Sequence, residues 1–351
     1  MLRKGTFILM KTKIQDMTSG SPGRLIILFA IPLMLGNICQ QLYTMVDTMV
    51  VGQVAGVEAL AALGAVDFLM WVVTGISTGL TQGFSIQLSQ YYGAKDFENL
   101  RKSLAHSYRL TAFIAAGVLI LSQSFASLVL TGLHTPSNII GMSLLYLRII
   151  FCGIPATAAY NMFASALRAM GNSKTPLTAM IIASVLNVSL DILFVAGFGW
   201  GVAGAAIATV IAQSFSAVYC FLILRRIDIV HLTRADFMPA SGMNARLMKL
   251  GIPVVFQNII IGVGGLVVQY VINGYGFLFV AGFTAANKLY GVLEMASVSY
   301  GYAITTYVGQ NLGAKKYRRI RNGVRSGVFR GGVCHHDIQQ RRQRDGCVRE
   351  A

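Results

Sequence analysis

Charged residues are scarce in this sequence. Asp, Glu, Lys and Arg make up 12% of the 351 residues, and 55% of the residues are hydrophobic. Ordinary soluble domains carry about 25% charged residues. A soluble chain of this length could bury a large core, but it would still need a polar surface, and too few charges are present to form one. The composition therefore excludes an ordinary soluble domain and indicates a chain that lies largely within a lipid bilayer.

Motifs for metal, nucleotide or disulfide chemistry are also lacking. The five cysteines show no paired spacing, and three lie inside apolar runs, which predicts buried, reduced thiols rather than disulfides. A Cys-His-His sequence at residues 334–336 has no second ligand pair at a zinc-like spacing, so metal binding is not expected there. No phosphate-binding glycine loop of the Walker type occurs, which argues against coupling to ATP.

Apolar runs long enough to cross a bilayer recur along the chain. A membrane-spanning helix needs about 20 mostly apolar residues, and proline or clustered glycine within it is tolerated. We therefore predict an all-α, polytopic membrane protein with about eight transmembrane helices. The eight predicted spans are Leu25–Val51, Ala59–Leu88, Leu104–Leu130, Ile139–Ala166, Pro176–Ala196, Val202–Leu224, Leu250–Ile272 and Val280–Val308.

Basic residues fall in alternate loops. Clusters of Lys and Arg precede the first span and follow the second, fourth, sixth and eighth, whereas the loops between hold no Lys or Arg. This alternation predicts that the N-terminus and the even-numbered connections lie in the cytoplasm. It also accounts for the net charge of +16, which in a soluble protein would suggest nucleic-acid binding. No nucleic-acid partner is expected.

The sequence contains an internal repeat. Ile-Pro at residues 31–32 with Asn37 recurs as Ile-Pro at 252–253 with Asn258, an offset of 221 residues. Gln-x-x-Gly-Ala-Lys at residues 90–95 recurs at 310–315, an offset of 220. One copy contains six predicted spans. Because six is even, both copies enter the membrane from the same side, as parallel repeats.

The repeat predicts how the chain is organised. We expect a cytoplasmic N-terminal segment (1–23), a complete six-helix lobe (24–240), a partial second lobe (246–326) and a basic tail (327–351). The correspondence between the copies fails near Phe329, where the first copy continues into an apolar run and the second into an arginine-rich segment. We interpret this change as a truncated or frameshifted second lobe with about two of its six helices.

Four motifs follow one another along the chain: Ile31-Pro32 with Asp47 and Gly52, Gln90-x-x-Gly-Ala, Leu167-Arg168-Ala-x-Gly171-x-x-Lys174-x-Pro176, and Asn187-x3-Asp191. In this order and spacing they resemble the multidrug and toxic compound extrusion (MATE) family, in particular its bacterial damage-inducible and Gram-positive members. The resemblance covers roughly residues 20–326. It implies two six-helix lobes around a central cavity in a bacterial cytoplasmic membrane, exporting cationic or amphipathic drugs in exchange for H+ or Na+.

A candidate cation site lies in the first copy. Ionisable groups inside the hydrocarbon cost several kcal/mol each and need a partner or a water-filled cavity. Asn187 and Asp191 are four residues apart and therefore share a helix face. In the resembled family, a cluster matching Asp47, Asn187, Asp191 and Thr209 binds the coupling ion. Carboxylate, amide and hydroxyl oxygens suit a hard cation, although the carboxylates could bind a proton instead, since burial and a neighbouring carboxylate favour the neutral form.

This cluster also has simpler explanations. Asn187 and Thr209 could join helices by hydrogen bonds alone, and Asp47 could be a hydrated residue near the outer surface. Other polar residues in the predicted spans have less defined roles: cavity lining or packing for Tyr146 and Asn161, substrate contact for Glu294 and Lys288, a structural contact for Asp67, and ion pairing or snorkelling for Arg148.

The leading hypothesis is a monomeric antiporter for small drugs or organic cations that uses no cofactor besides the coupling ion. One alternative is a flippase for lipid-linked precursors, which would have extra helices and a strongly cationic cavity. Another is a truncated chain without activity. A membrane-embedded enzyme is not expected, because His106, His134 and His231 are isolated in the sequence.

Overall fold

The chain folds into a bundle of long helices. A computed structural model describes residues 14–132, 135, 137–273 and 277–332, and this part of the chain contains no strand. The helices are α1 Pro22–Val54, α2 Val57–Ala94, α3 Phe97–Gly132, α4 Ile140–Cys152, α5 Ile154–Ala169, α6 Lys174–Asp191, α7 Gly201–Leu224, α8 Met243–Asn273, α9 Phe277–Gly313 and α10 Tyr317–Gly332. A π-helix, Ile192–Gly197, follows α6, and short 3-10 turns occur at Asp228–Val230 and Arg234–Phe237.

The predicted all-helical membrane fold is confirmed. By length and apolar composition, six helices and the bent pair α4–α5 are able to cross a membrane, which makes up to seven spans among the described residues. The eighth predicted span coincides with α9, in which many side chains lie outside those that the structure describes. Large apolar side chains face outward, including Phe113, Leu128 and Val185 at 81%, 67% and 64% exposure, as lipid-facing positions require.

Two predicted spans are less regular than expected. The fourth is broken at Gly153 into α4 and α5, which meet at an angle of 46°; the proline at the start of α5 removes a backbone donor there. The fifth changes from α-helix to π-helix after Asp191. Of three cysteines predicted to be buried thiols, only Cys220 is buried; Cys39 is half-buried and Cys152 exposed, and all three are free.

The two copies of the repeat end their second helix in the same way. Lys95 after α2 and Lys315 after α9 adopt the left-handed conformation, with φ of 58° and 57°, which is uncommon for residues other than glycine. In each copy the lysine N–H and the following N–H donate to carbonyls three and five residues back, the pattern of a Schellman cap. The repeat is therefore present in the backbone conformation as well as in the sequence.

The copies also pack against each other in a reciprocal way. The first helix of one copy contacts the second helix of the other: α1 lies against α9, and α2 against α8. Asn37 donates to Ser299 Oγ at 3.0 Å, and its repeat counterpart Asn258 donates to the Gly75 carbonyl at 3.1 Å. These polar contacts join the two copies within the apolar bundle, where such hydrogen bonds hold helices together.

One end of the bundle carries the basic clusters, including Lys95, Arg101, Lys174 and Lys315; we call it the basic end. There, residues 14–21, which we call the N-terminal strap, lie between the two copies. Gln15 N–H donates to the Gly171 carbonyl at 3.1 Å. Met17 is fully buried.

Gln310 links the strap to both copies. It accepts from Met17 N–H at 3.0 Å and donates to the Ala169 carbonyl at 2.8 Å. One side chain of the second copy thereby bonds both the strap and the first copy. These contacts join the strap and the two copies at the basic end.

Residues on either side of the turn between α9 and α10 hold the same strap. Asn311 donates to the Met17 carbonyl at 3.0 Å and Lys316 to the Thr18 carbonyl at 2.9 Å. Burial alone would raise the pKa of Asp16, but hydrogen bonds from Thr18 and Ser19 outweigh it and leave this pKa below its usual value. Residues 1–13 of the predicted N-terminal segment and 333–351 of the predicted tail lie outside the described residues.

The connection between the copies packs on the basic end of α3. His106 is buried and its ring nitrogens lie 2.7 Å from Asn244 Oδ1 and 3.1 Å from the Met238 carbonyl. Asp236 caps its own 3-10 turn and lies 3.7 Å from Arg101. His106 therefore holds the connection in place.

Candidate functional site

Three helices of the first copy each present two polar residues spaced by four, and the pairs meet in the middle of the bundle. Tyr43 and Asp47 lie on α1, Asn187 and Asp191 on α6, and Thr209 and Gln213 on α7. Residues four apart share one face of a helix. The three helices contact one another, so their polar faces form a single cluster. We call these six residues the polar cluster.

The π-helix after α6 defines the end of this site. The α-helix gives way to the wider turn directly after Asp191, and such turns occur frequently at functional sites. Phe194 and Trp200 stack with ring centroids 5.1 Å apart, and Trp200 N–H donates to the Phe194 carbonyl. Aromatic packing thus fixes the irregular backbone next to the carboxylate.

Four residues of the polar cluster are buried despite their polarity, and Thr209 and Gln213 are half-buried. Asn187 and Asp191 are fully buried, and Asp47 and Tyr43 are 5% and 9% exposed. Two hydrogen bonds connect the helices: Asn187 Nδ2 donates to Thr209 Oγ1 at 3.4 Å, and Gln213 Nε2 donates to Tyr43 OH at 3.3 Å. The helices are therefore joined by polar contacts at two adjacent levels.

Hydrogen-bond acceptors outnumber donors at this site. Both carboxylate oxygens of Asp191, the amide oxygen of Asn187 and the amide oxygen of Gln213 are buried without a hydrogen-bond partner among the described residues. A buried, unsatisfied acceptor costs about 1–3 kcal/mol. Four such oxygens in one cluster are therefore expensive unless a bound cation or proton satisfies them.

The two carboxylates are close enough to influence each other. Asp47 and Asp191 interact electrostatically, and the Tyr43 hydroxyl interacts with both. Two like charges in a buried site repel, so a positive species between them would be stabilised. The residues described include no group of three or more His, Cys, Asp and Glu that could hold a metal ion; the carboxylate, amide and hydroxyl oxygens of the polar cluster are ligands of the kind that bind hard cations.

The remaining candidate residues have different surroundings in the structure. Asn161 donates to Thr78 Oγ1 at 3.2 Å, and Tyr146 is 5% exposed in an apolar core with residues of α2, α3 and α7. Arg148 is exposed, with no ion pair to any acidic residue in the described ranges, which favours snorkelling. Glu294 is exposed on α9. The side chains of Asp67 and Lys288 lie outside the described residues.

The sequence analysis did not identify Tyr43 and Gln213. Each lies one helical turn from a predicted member of the cluster, Tyr43 before Asp47 and Gln213 after Thr209. The same spacing of four that linked Asn187 to Asp191 makes both residues candidates. It was not sufficient alone, because the relative rotation of α1 and α7 is set by packing.

A match to a family model identifies the family of this chain. The model described as MatE matches residues 32–193 and 253–335, more than half of the chain. The chain belongs to the MatE family. It is a MATE-family efflux transporter and a multi-pass membrane protein.

Individual relatives agree with this assignment. The "Probable multidrug resistance protein YpnP" of Bacillus subtilis is 31% identical over 308 residues, covering 88% of this chain and 69% of its own length. The "Multidrug export protein MepA" of Staphylococcus aureus is 21% identical over 308 residues, covering 87% of this chain and 68% of its own length. Both are bacterial proteins named for multidrug resistance or export.

Solved structures show the same fold. A MOP superfamily transporter from Pyrococcus furiosus superposes with a TM-score of 0.85 at 23% identity, covering 90% of this chain and 71% of the other. The outward-facing conformation of a multidrug resistance MATE family transporter gives a TM-score of 0.84 at 23% identity, covering 90% of this chain and 71% of the other. The arrangement of the described helices is therefore that of the family.

Proposed function

We propose that the chain is a cation-coupled antiporter that exports cationic or amphipathic small molecules in exchange for Na+ or H+. The relatives named for multidrug export support the substrate class. In this proposal the coupling ion binds in the polar cluster of the first copy, at Asp47, Asn187, Asp191 and Thr209. Asp191 supplies the buried charge, and Asn187 supplies a neutral oxygen.

The excess of acceptors over donors is the observation that supports this proposal most strongly. A purely structural polar cluster would pair each acceptor with a donor, as buried polar groups in proteins almost always do. Here both oxygens of Asp191 and the amide oxygens of Asn187 and Gln213 lack donors within the described residues. A cation can bind several of these oxygens as ligands, whereas a single proton bridges at most two of them. The amide oxygens therefore favour Na+ over H+.

We also propose an orientation and a transport state. The alternation of basic loops supports a basic end in the cytoplasm of a bacterial cell, and we propose a monomer in the cytoplasmic membrane. The contacts of the strap and Gln310 at that end support a state that is closed to the cytoplasm, and we propose that this state opens to the outside. Ion binding and drug binding would each favour one of the two states, since a ligand shifts a conformational equilibrium only by its difference in affinity.

Transport driven by a single imposed gradient tests the function. The purified chain is reconstituted into vesicles with ethidium, and a Na+ gradient or a pH gradient is imposed separately in the absence of ATP. We expect ethidium to move against its own gradient under at least one of the two ion gradients, and faster under Na+. Ethidium flux that is the same with and without either gradient would contradict the proposal.

Opening of the basic end gives a second prediction. Gln310→Ala removes the bonds to Met17 and Ala169, each worth about 1–3 kcal/mol when a buried group is left unpaired, and should favour the state open at that end. The measurement uses chains in which Ser299→Cys is the sole cysteine, a site that is fully buried between the copies. We expect maleimide to label this cysteine faster in the Gln310→Ala variant than in the parent.

The repeat provides a matched control for this experiment. Gln90→Ala changes the equivalent residue of the first copy, which forms no side-chain hydrogen bond across to the strap. Its labelling rate should match that of the parent. Equal labelling in the Gln310 and Gln90 variants would show that the strap does not hold the basic end closed.

A further inference from the structure

The start of α10 differs in charge from its repeat counterpart at the start of α3. Both segments follow the same left-handed lysine cap, so their positions correspond at an offset of 220 residues. Where the first copy has Asp96 and Glu98, the second has Lys316 and Arg318. Residues 315–325 contain no acidic residue at all. The same backbone thus presents opposite charges in the two copies.

In the first copy, ion pairs neutralise two basic residues near the start of α3. Lys102 lies 2.6 Å from Glu98, and Arg101 lies 3.7 Å from Asp236 in the connection between the copies. Arg101 and Lys102 near the start of α3 therefore each have an acidic partner within the chain, whereas Lys95, the repeat counterpart of Lys315, is exposed without an ion pair in the described residues. The fold does not require uncompensated positive charge along the first turns of this helix.

Four cations of the second copy have no such partner. Lys315, Arg318, Arg321 and Arg325, which we call the basic face, are exposed. No ion pair joins any of them to an acidic residue within the described part of the chain. The three arginines are spaced by three and four residues, so they form one stripe along α10. Like charges in such a stripe repel unless an anion lies against them.

The position of the basic face indicates which kind of anion would bind to it. It begins directly after α9, at the basic end, where a membrane helix leaves the bilayer. Exposed Tyr317 lies at the same level, at 64% exposure, and tyrosine is enriched at membrane interfaces. Arginine binds phosphate oxygens in a bidentate manner. From this geometry, we propose that the basic face binds the phosphate groups of anionic phospholipids in the adjacent leaflet.

A nucleic acid fits this surface less well. The arginine stripe spans eight residues of helix, and its ends are about 10 Å apart. This is short for the roughly six to ten phosphate contacts that stable nucleic-acid binding commonly uses. The face also adjoins the bilayer, where lipid phosphates are present at high local concentration. The proposal requires only that the protein is inserted in a membrane, so it does not depend on the coupling ion or the drug.

Lipid retention in native mass spectrometry tests the proposal. The full chain is purified in detergent containing equal amounts of phosphatidylglycerol and phosphatidylcholine with the same acyl chains. We expect the parent to retain phosphatidylglycerol with about tenfold preference, since each basic residue near an anionic surface contributes appreciably to binding. The variant Arg318→Glu with Arg325→Ala carries the residues that the first copy has at these positions and should lose this preference.

Two controls separate the basic face from general surface charge. Arg225→Glu with Arg226→Ala makes the same change in net charge at another exposed site of the basic end and should keep the preference. Arg318→Lys with Arg325→Lys should keep most of it, and the milder single variants Arg318→Gln and Arg325→Gln should each lose part of it.

Several results would overturn the proposal. One is a preference for phosphatidylglycerol that survives the Arg318 and Arg325 exchange. Another is an equal loss in the Arg225 and Arg226 control, which would assign the effect to overall charge. Displacement of phosphatidylglycerol by a short single-stranded RNA at lower concentration would instead identify the face as a nucleic-acid surface.

Discussion

Asp191→Asn is expected to abolish gradient-driven export without destabilising the folded protein. Asp191 is fully buried and both of its carboxylate oxygens lack a donor among the described residues. An asparagine keeps the shape but cannot carry the charge that a coupling ion needs. Its amide group can donate to neighbouring acceptors, so removing the unsatisfied carboxylate should leave the stability unchanged or raise it by about 1–3 kcal/mol.

This combination distinguishes a functional role from a structural one. Stability is measured as the midpoint of thermal unfolding, and export as ethidium efflux from energised cells. Asp228→Asn, which neutralises an exposed carboxylate outside the polar cluster, is the control and should change neither quantity. If Asp191→Asn unfolds more easily than the parent and retains coupled export, the carboxylate is structural. Loss of activity at a gain in stability is the expected trade-off for a functional site.

The second large effect is expected at a pair of repeat-related glycines. A Cβ atom added at Gly93 would overlap the Gln310 carbonyl oxygen, and one added at Gly313 would overlap the Gln90 carbonyl oxygen. These contacts are with backbone rather than with flexible side chains, so the copies would have to move apart. Overpacking of this kind costs about 1–3 kcal/mol and occasionally more. We expect Gly93→Ala and Gly313→Ala each to lower the midpoint of thermal unfolding.

A glycine that faces open space provides the comparison. Gly117 lies on the exposed side of α3, with no atom within 4 Å of an added Cβ. Gly117→Ala should leave the midpoint unchanged or raise it slightly, because alanine favours helix more than glycine does. If all three variants unfold at the same temperature, the close contact between the copies at Gly93 and Gly313 does not contribute to stability.

The helices were predictable from the sequence because apolar runs of sufficient length dominate it. The break between α4 and α5 at Gly153 was not predictable from the sequence. Pro32 and Pro253 lie inside continuous helices, so a proline near Gly153 does not by itself specify a break. A Cβ at Gly153 would lie 2.6 Å from the Val210 side chain of α7. This close packing of Gly153 against α7 is a tertiary contact that the local sequence does not contain.

The candidate site was predicted in part for a similar reason. A spacing of four residues on one helix was enough to pair Asn187 with Asp191. Asp47 and Thr209 came from the family resemblance, because spacing within one helix does not fix the rotation of another helix. Gln213 and Tyr43 were found only when the packing of α1 against α6 and α7 was known. The π-helix after Asp191 also has no local sequence signal.

Equilibrium ion binding tests the central claim, a cation site at the polar cluster, most directly. Radioactive Na+ is titrated into purified protein at several pH values, and proton uptake is followed in parallel with a pH-sensitive dye. We predict saturable Na+ binding by the parent that weakens as protons compete, and neither this Na+ binding nor proton uptake at the same site in Asp191→Asn. Identical Na+ binding and proton uptake by the parent and Asp191→Asn would contradict the account.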